Sequence, residues 1–138
     1  MSYDSNFHDV GMFHVKFGLD NVTQCHPSPR ELNRQLMDFR VKFMQEELDE
    51  FIEGLGENDP VKMADALIDL VYVAMGTAHL SGYPWHQLWQ EVHAANMRKI
   101  RPIHESQSRR DSRFDVVKPD GWKPPDVAGV LRQHGWDL

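Results

Sequence analysis

The sequence predicts an all-α fold, an antiparallel four-helix bundle followed by an irregular C-terminal tail. Apolar residues recur at helical spacing through most of the first hundred residues, and no segment shows the polar–apolar alternation of a half-buried strand. Start and stop signals divide this part of the chain into four helical segments. With 138 residues, the chain is long enough for one domain with a real core.

The first helix is predicted over roughly residues 6–17. Val10, Phe13 and Phe17 form its apolar stripe, and Gly18 marks its end. The loop "NVTQCHPSPRE" then leads to the second helix.

The second helix has the strongest start signal in the chain. In "SPRE", Ser28 can cap the helix, Pro29 fits the first helical position and Glu31 completes a capping box. Seven apolar residues then keep helical spacing as far as Gly54 and Gly56: Leu32, Leu36, Phe39, Phe43, Leu48, Phe51 and Ile52.

Two proline-marked starts define the third and fourth helices. Asp59 is a plausible cap and Pro60 a first helical residue for the third helix, which ends near Gly82. Pro84 begins the fourth helix and Pro102 marks its limit. Four helices joined by short links favour an antiparallel bundle.

Composition excludes several classes of protein. The single cysteine, Cys25, rules out an internal disulfide framework and suits a reducing compartment. The start "MSYDSNFHDV" lacks the features of a secretory signal, so a cytoplasmic protein is expected. The longest apolar run is expected to be too short for a membrane span, and it carries two acids.

Charge is distributed unevenly along the chain. Residues 1–97 carry 6 basic and 15 acidic residues, whereas residues 98–123 carry 8 basic and 4 acidic residues. A duplex DNA-binding domain would show a basic face on its folded body, so nucleic acid is not an expected partner. The pattern fits a body that holds cations and a basic segment that closes over an anion, although a solvated surface with a charged tail explains it equally well.

The segment "MADALIDLVYVAMG" carries two acids in an apolar setting. Asp65 and Asp69 are four residues apart and share one face of the third helix. An ionised carboxylate is costly to bury without a partner. On the second helix, Glu46, Glu47 and Glu50 crowd one sector, and the antiparallel hairpin can bring them opposite the two aspartates. A solvated acidic face is the alternative for the glutamates alone.

Carboxylates that face each other from two helices repel unless a cation lies between them. Oxygen ligands without His or Cys suit Mg²⁺, with Mn²⁺ able to substitute. A di-iron bundle would need an inward Glu-x-x-His pair, and neither His79 nor His93 has that spacing. Asn96 and Lys99 share a face at the end of the fourth helix and could contact substrate phosphates, although an ordinary helix end explains them as well.

"EELDE", "DALIDLVYV" and "NMRK", in this order, resemble the all-α nucleoside triphosphate pyrophosphohydrolases, the superfamily of MazG, dimeric dUTPases and phosphoribosyl-ATP pyrophosphohydrolase. The chain is similar in particular to small MazG-like proteins of bacteria and phages, from about residue 7 onward. It departs from the pattern at Ala66, where the family usually has Glu three residues before the aspartate. Asp65 would have to substitute.

The resemblance implies a Mg²⁺-dependent enzyme that converts a nucleoside triphosphate and water into the monophosphate and pyrophosphate, as in cleansing of the nucleotide pool. Its implied site has three parts. The metal ligands would be Glu47, Glu50 and Asp69, with Asp65 assisting. Glu46 would be a further ligand or would deprotonate the attacking water, which makes Glu46 and Glu47 the implied catalytic residues. Asn96 and Lys99 would bind the phosphates.

The catalytic domain would cover residues 1–101, and residues 102–138 would form a basic, Pro/Gly-rich tail that packs on or near it. Four short helices cover an apolar third helix poorly, so a homodimer or homotetramer is expected. Three alternatives stay open: a pyrophosphohydrolase of the phosphoribosyl-ATP type, a non-catalytic metal-binding regulator, and a nucleic-acid-binding helical domain that uses "RRDSR".

Overall fold

The computed structural model describes residues 5–20 and 33–138. Its helices are α1 (Ser5–Lys16), α2 (Arg34–Gly56), α3 (Pro60–Ser81), α4 (Trp85–Met97) and α5 (Val127–Gln133), with a 3₁₀ turn at Glu105–Gln107. Across these ranges the only β-type pairing is an isolated antiparallel bridge between Ile100 and Val117. The all-α prediction is therefore confirmed.

Local signals explain where the helices begin and end. Asn33 caps α2 by accepting the Leu36 N–H at 3.0 Å, whereas the start predicted at Ser28 and Pro29 lies outside the described residues. Asp59 caps α3 as predicted.

The Asp59 carboxylate accepts the N–H groups of Val61 and Lys62, each at 3.1 Å, and Pro60 takes the first helical position. Gly82 ends α3 in the left-handed region at φ 74°. The predicted start and end of the third helix are thus confirmed.

The α2–α3 hairpin is the centre of the molecule and holds a buried arginine. Arg40 donates from Nε to Thr77 Oγ1 at 3.0 Å and from Nη2 to the Val73 carbonyl at 2.8 Å. A Cβ added at Gly76 would lie 2.5 Å from Arg40 Nη2. Glycine at position 76 therefore allows the guanidinium to approach the α3 backbone.

Helix α1 packs across α3 rather than along α2. Val10 and His14 are buried in this contact, and His14 Nδ1 lies 2.8 Å from His79 Nδ1. Gly11 gives His79 room, because a Cβ at position 11 would lie 3.1 Å from its Nε2.

Helix α4 differs from the fourth helix of the predicted bundle. It packs on α5 and has no extensive contact with α2 or α3 in the described structure. Its first residue, Trp85, stacks on Phe7 of α1 with ring centroids 5.6 Å apart. Beyond α4, Trp122 donates its indole N–H to the Ala95 carbonyl at 2.8 Å. The extensive helix contacts in the described structure are thus those of α3 with α1 and α2, and that of α4 with α5.

Helix α3 is long and apolar enough to cross a membrane by length and composition, so the expectation that this segment is too short was wrong. A core helix passes the same test. α3 carries Asp65 and Asp69 and packs on α1 and α2. It nevertheless leaves Leu67, Ile68 and Val71 exposed in the single chain.

Candidate metal centre

Three carboxylates converge where α2 faces α3. Glu47, Glu50 and Asp69 each offer an oxygen, and these three oxygens lie within 4.8 Å of one another. The two glutamates are three residues apart, which places them on one face of α2. The three-residue turn between the helices forces an antiparallel hairpin, which sets Asp69 against that face.

Glu47 has the most unfavourable surroundings of the three. Its side chain is only 9% exposed, and its Oε2 atom is buried without a hydrogen-bond partner. Burial raises the pKa of Glu47, and the negative charges of Glu50 and Asp69, a hydrogen bond with Glu50 and the charge of Asp65 raise it further. A bound cation would offset the free-energy cost of burying this unpaired acceptor beside other acids.

The donor set fits a hard divalent cation. It offers carboxylate oxygen alone, the ligand type that Mg²⁺ and Mn²⁺ prefer. These three residues would hold such a cation between α2 and α3. Glu50 is exposed, which leaves one side of the cluster open to waters or to a phosphate.

Glu46 and Asp65 lie outside the group of three. Both side chains are exposed, and neither contributes an oxygen to the 4.8 Å cluster. Asp65 is one helical turn closer to the α2–α3 turn than Asp69, and its charge is the smallest of the influences on the pKa of Glu47. Asp65 is therefore near the cluster but contributes no oxygen to it. Direct ligation by either residue stays a prediction.

Asn96 lies in the last turn of α4, and Lys99 follows two residues after its end. Asn96 is exposed, and Lys99 Nζ lies 5.5 Å from the centre of the Trp122 ring. Within the described chain, Lys99 forms no ion pair with Glu47, Glu50 or Asp69. Phosphate binding by Asn96 and Lys99 stays a prediction.

Two arrangements were not anticipated from the sequence. One is the contact of His14 with His79, which are 65 residues apart and show no common motif. The other is the seating of Trp122 on α4 with both Lys99 and Lys118 over its ring. The "KPDGW" turn was a usable signal for the second, since Pro and Asp-Gly mark a tight turn that presents the following residue.

Comparison with known families gives one match. The sequence profile described as phosphoribosyl-ATP pyrophosphohydrolase matches residues 10–96, more than half of the chain. The matched range includes all three clustered carboxylates and ends at Asn96, so Lys99 and the C-terminal segment lie beyond it. No curated protein matches the chain.

Proposed function

The chain belongs to the phosphoribosyl-ATP pyrophosphohydrolase family, within the MazG-like all-α NTP pyrophosphohydrolase superfamily, and we propose that its substrate is a nucleoside or deoxynucleoside triphosphate. Family membership makes the chain a pyrophosphohydrolase. The proposed reaction is hydrolysis of the triphosphate at the α–β bond, with a nucleoside monophosphate and pyrophosphate as products. Removal of unwanted nucleotides from the cellular pool is the proposed role.

The cluster of Glu47, Glu50 and Asp69 is the observation that supports the proposal most strongly. A triphosphate carries several negative charges, so an acidic cluster can bind it only through metal ions. Bound Mg²⁺ would neutralise phosphate charge and lower the pKa of a coordinated water. The three carboxylates lie where α2 and α3 pack on each other.

The exposed Glu46 is proposed to take the proton of the attacking water. It immediately precedes Glu47 on α2 and is open to solvent, as a general base that meets a water molecule must be. The water oxygen forms a bond to the α-phosphorus, and the bond from that phosphorus to the bridging oxygen breaks. Pyrophosphate leaves with the bridging oxygen. Asp65 is proposed to support Asp69, and Asn96 and Lys99 to contact the phosphates.

A phosphoribosyl-ATP substrate is the second candidate, because the matching family profile carries that description. The same linkage, the phosphoanhydride between the α- and β-phosphates, would be broken. Metal binding alone therefore cannot separate the two candidates, and the substrate must be compared directly.

We also propose that the chain assembles as a homodimer or homotetramer. In the single chain, Leu67, Ile68 and Val71 of α3 are exposed, and α2 leaves a parallel stripe of exposed apolar residues. That stripe consists of Val41, Leu48, Ile52 and Leu55. Apolar surface of this extent on two packed helices favours a second copy as its cover.

The cytoplasm is the proposed location, because the single Cys25 needs no oxidising compartment. Nucleic acid is not proposed as a partner. In the "RRDSR" segment, Arg110 is bound to the Asp115 carboxylate at 3.0 Å rather than offered to a phosphate backbone.

A substrate panel tests the proposal. The panel contains the four deoxynucleoside triphosphates, the ribonucleoside triphosphates and phosphoribosyl-ATP, each with Mg²⁺, Mn²⁺ or EDTA. Release of pyrophosphate from a nucleoside triphosphate, with loss in EDTA, is the expected result. Turnover of phosphoribosyl-ATP alone would favour the second candidate, and full turnover in EDTA would contradict the metal assignment.

Substitutions within the cluster sharpen this test. Glu47→Gln, Glu50→Gln and Asp69→Asn are each expected to abolish turnover, because each removes a negative ligand. Asp49→Asn is the matched control: Asp49 is an exposed acid on α2, outside the cluster, that accepts a hydrogen bond from Gln45 at 2.8 Å. Its turnover should equal that of the wild type.

A further inference from the structure

Trp122 is fixed against the end of α4 by its surroundings. Its indole N–H donates to the Ala95 carbonyl at 2.8 Å, and its backbone N–H donates to the Pro119 carbonyl at 3.0 Å, which closes a turn. Gly121 in this turn has φ 76°, the left-handed conformation that the third residue of a type II turn requires. Arg98 adds a further link by donating to the Lys123 carbonyl at 3.2 Å. The ring position is therefore built into the fold.

Two lysines converge on this ring. Lys118 Nζ lies 4.8 Å and Lys99 Nζ 5.5 Å from the ring centre. Their approach follows from the bridge in which Ile100 and Val117 exchange hydrogen bonds of 2.9 and 2.8 Å. In that antiparallel register the preceding and following residues, Lys99 and Lys118, are directly opposite each other.

Like charges directly opposite each other are destabilising. Attraction to the indole offsets part of this repulsion. Neither lysine forms an ion pair with an acid anywhere in the ranges that the structure describes. Within the described residues, no carboxylate is thus ion-paired with either ammonium group.

A small open concavity of about 300 Å³ lies at Trp122, and neither Lys99 nor Lys118 is among its lining residues. Arg98, Pro119, Gly121, Trp122 and Lys123 line it, together with the side chain of Asp120. Its volume is at the lower limit of small-molecule sites, which fits a compact anion. The indole carries cations on its ring and is thus less suited to stacking on a base.

We propose that Lys99 and Lys118, on the Trp122 ring, form a binding site for a polyphosphate anion, with Arg98 and Lys123 at its edge. Ammonium groups bind phosphate oxygens by charge-assisted hydrogen bonds, and an anion between the lysines removes their repulsion. The identity of the natural ligand rests on the proposed function: it is the triphosphate of the substrate or the pyrophosphate product. Lys118 and Trp122 lie outside the matched range 10–96, so this site is supplied by the C-terminal segment.

Pyrophosphate binding to the full chain in EDTA tests the site without the metal centre. Isothermal titration of the wild type is expected to show one binding event per chain, and Lys118→Ala should weaken it about tenfold, the effect of losing one charge-assisted contact. Lys42→Ala is the matched control, because Lys42 is an exposed lysine on α2 far along the chain from this turn. It should bind as the wild type does.

Kinetics separate this site from the proposed function. If a nucleoside triphosphate is hydrolysed, Lys118→Ala should raise KM about tenfold and leave Mg²⁺ affinity unchanged. Lys118-dependent pyrophosphate binding without any nucleotide turnover would support the site and contradict the proposed function. Pyrophosphate affinity equal in wild type, Lys118→Ala and Lys42→Ala would overturn the site, whatever the turnover. Tighter, Lys118-dependent binding of a single-stranded oligonucleotide than of pyrophosphate would also overturn it, in favour of a nucleic-acid site.

Discussion

Glu47 on α2 and Asp69 on α3 present carboxylate oxygens within 4.8 Å of each other, and no basic side chain is ion-paired to either in the described part of the chain. The α2–α3 packing fixes this approach, since both residues lie well inside their helices. Two like charges kept together by the fold leave the metal-free protein less stable than it would be with a neutral group there. Function and stability are therefore opposed at this position.

The first prediction concerns this opposition. The raised pKa of Glu47 means that its contribution to stability is present below its unfolded pKa and is lost as pH rises through its folded pKa. At pH 7.5, Glu47→Gln should therefore raise the Tm of the metal-free protein. Relief of about 1 kcal/mol corresponds to about 4 °C in a chain of this size.

Thermal melts with EDTA and with Mg²⁺ measure the Tm without metal and the increase in Tm that Mg²⁺ causes. Mg²⁺ should raise the Tm of the wild type, because it binds only the folded cluster, and should raise that of Glu47→Gln much less. Asp49→Asn should keep the full Mg²⁺ effect. An equal Mg²⁺ effect in Glu47→Gln and the wild type would remove Glu47 from the metal centre.

The second prediction concerns pH. Burial, followed by the charges of His79 and Arg40, lowers the pKa of His14 to about 4, against a weaker opposing effect of Asp20. The unfolded chain therefore binds more protons than the folded one between about pH 6.5 and 4, so this histidine loses its stabilising contribution as pH falls through that window.

Urea unfolding between pH 7.5 and 4.5 measures this contribution. His14→Phe should flatten the fall in unfolding free energy towards acid pH, even if it lowers stability at every pH. His93→Phe is the control, because His93 is exposed on α4. The same pH slope in His14→Phe and the wild type would show that the buried pair does not titrate as described.

The third prediction concerns the glycine beside Arg40. In Gly76→Ala the new methyl group would lie 2.5 Å from Arg40 Nη2 and 3.3 Å from the His14 ring. Overpacking of this kind should reduce the free energy of unfolding by about 1–3 kcal/mol. Gly56→Ala, where no atom lies within 4 Å, should leave stability unchanged or slightly higher. Equal stability of the two variants in chemical denaturation would be inconsistent with the packing of Arg40.

The fourth prediction concerns assembly. Ile68 is 68% exposed on α3, within the apolar face proposed to bind a second copy. Ile68→Glu should shift the protein to a monomer, because a buried unpaired charge opposes association. Light scattering coupled to size-exclusion chromatography gives the mass. Ile103→Glu, the same substitution at an exposed apolar residue after α4, should keep the wild-type mass. A monomeric wild type would contradict the proposal outright.

Local signals predicted the helices well, because caps and glycine ends act within one turn. Asp59, Pro60 and Gly82 set the limits of α3 as expected. The position of α4 was not predictable in this way, since its stripe of apolar residues fits packing on α3 or on α5 equally well. In the structure Trp122 packs on α4 and donates its indole N–H to the carbonyl of Ala95, 27 residues earlier in the chain. A contact over that separation leaves no local signal in the sequence.

The acid cluster was predictable because hairpin geometry couples two local spacings. Glu47 and Glu50 share a face by their spacing of three, and the short turn brings Asp69 opposite them. The same spacing argument placed Asp65 with Asp69. Asp65 contributes no oxygen to the 4.8 Å group, and its role as a ligand stays a prediction. The buried pair of His14 and His79 had no local signal at all.

The bond that is cleaved tests the central claim most directly. Hydrolysis of a deoxynucleoside triphosphate in ¹⁸O-labelled water with Mg²⁺, followed by ³¹P NMR and mass spectrometry, identifies both products and the phosphorus that water attacks. The account predicts labelled deoxynucleoside monophosphate and unlabelled pyrophosphate, with free phosphate only after an inorganic pyrophosphatase is added. Deoxynucleoside diphosphate with labelled free phosphate would contradict it.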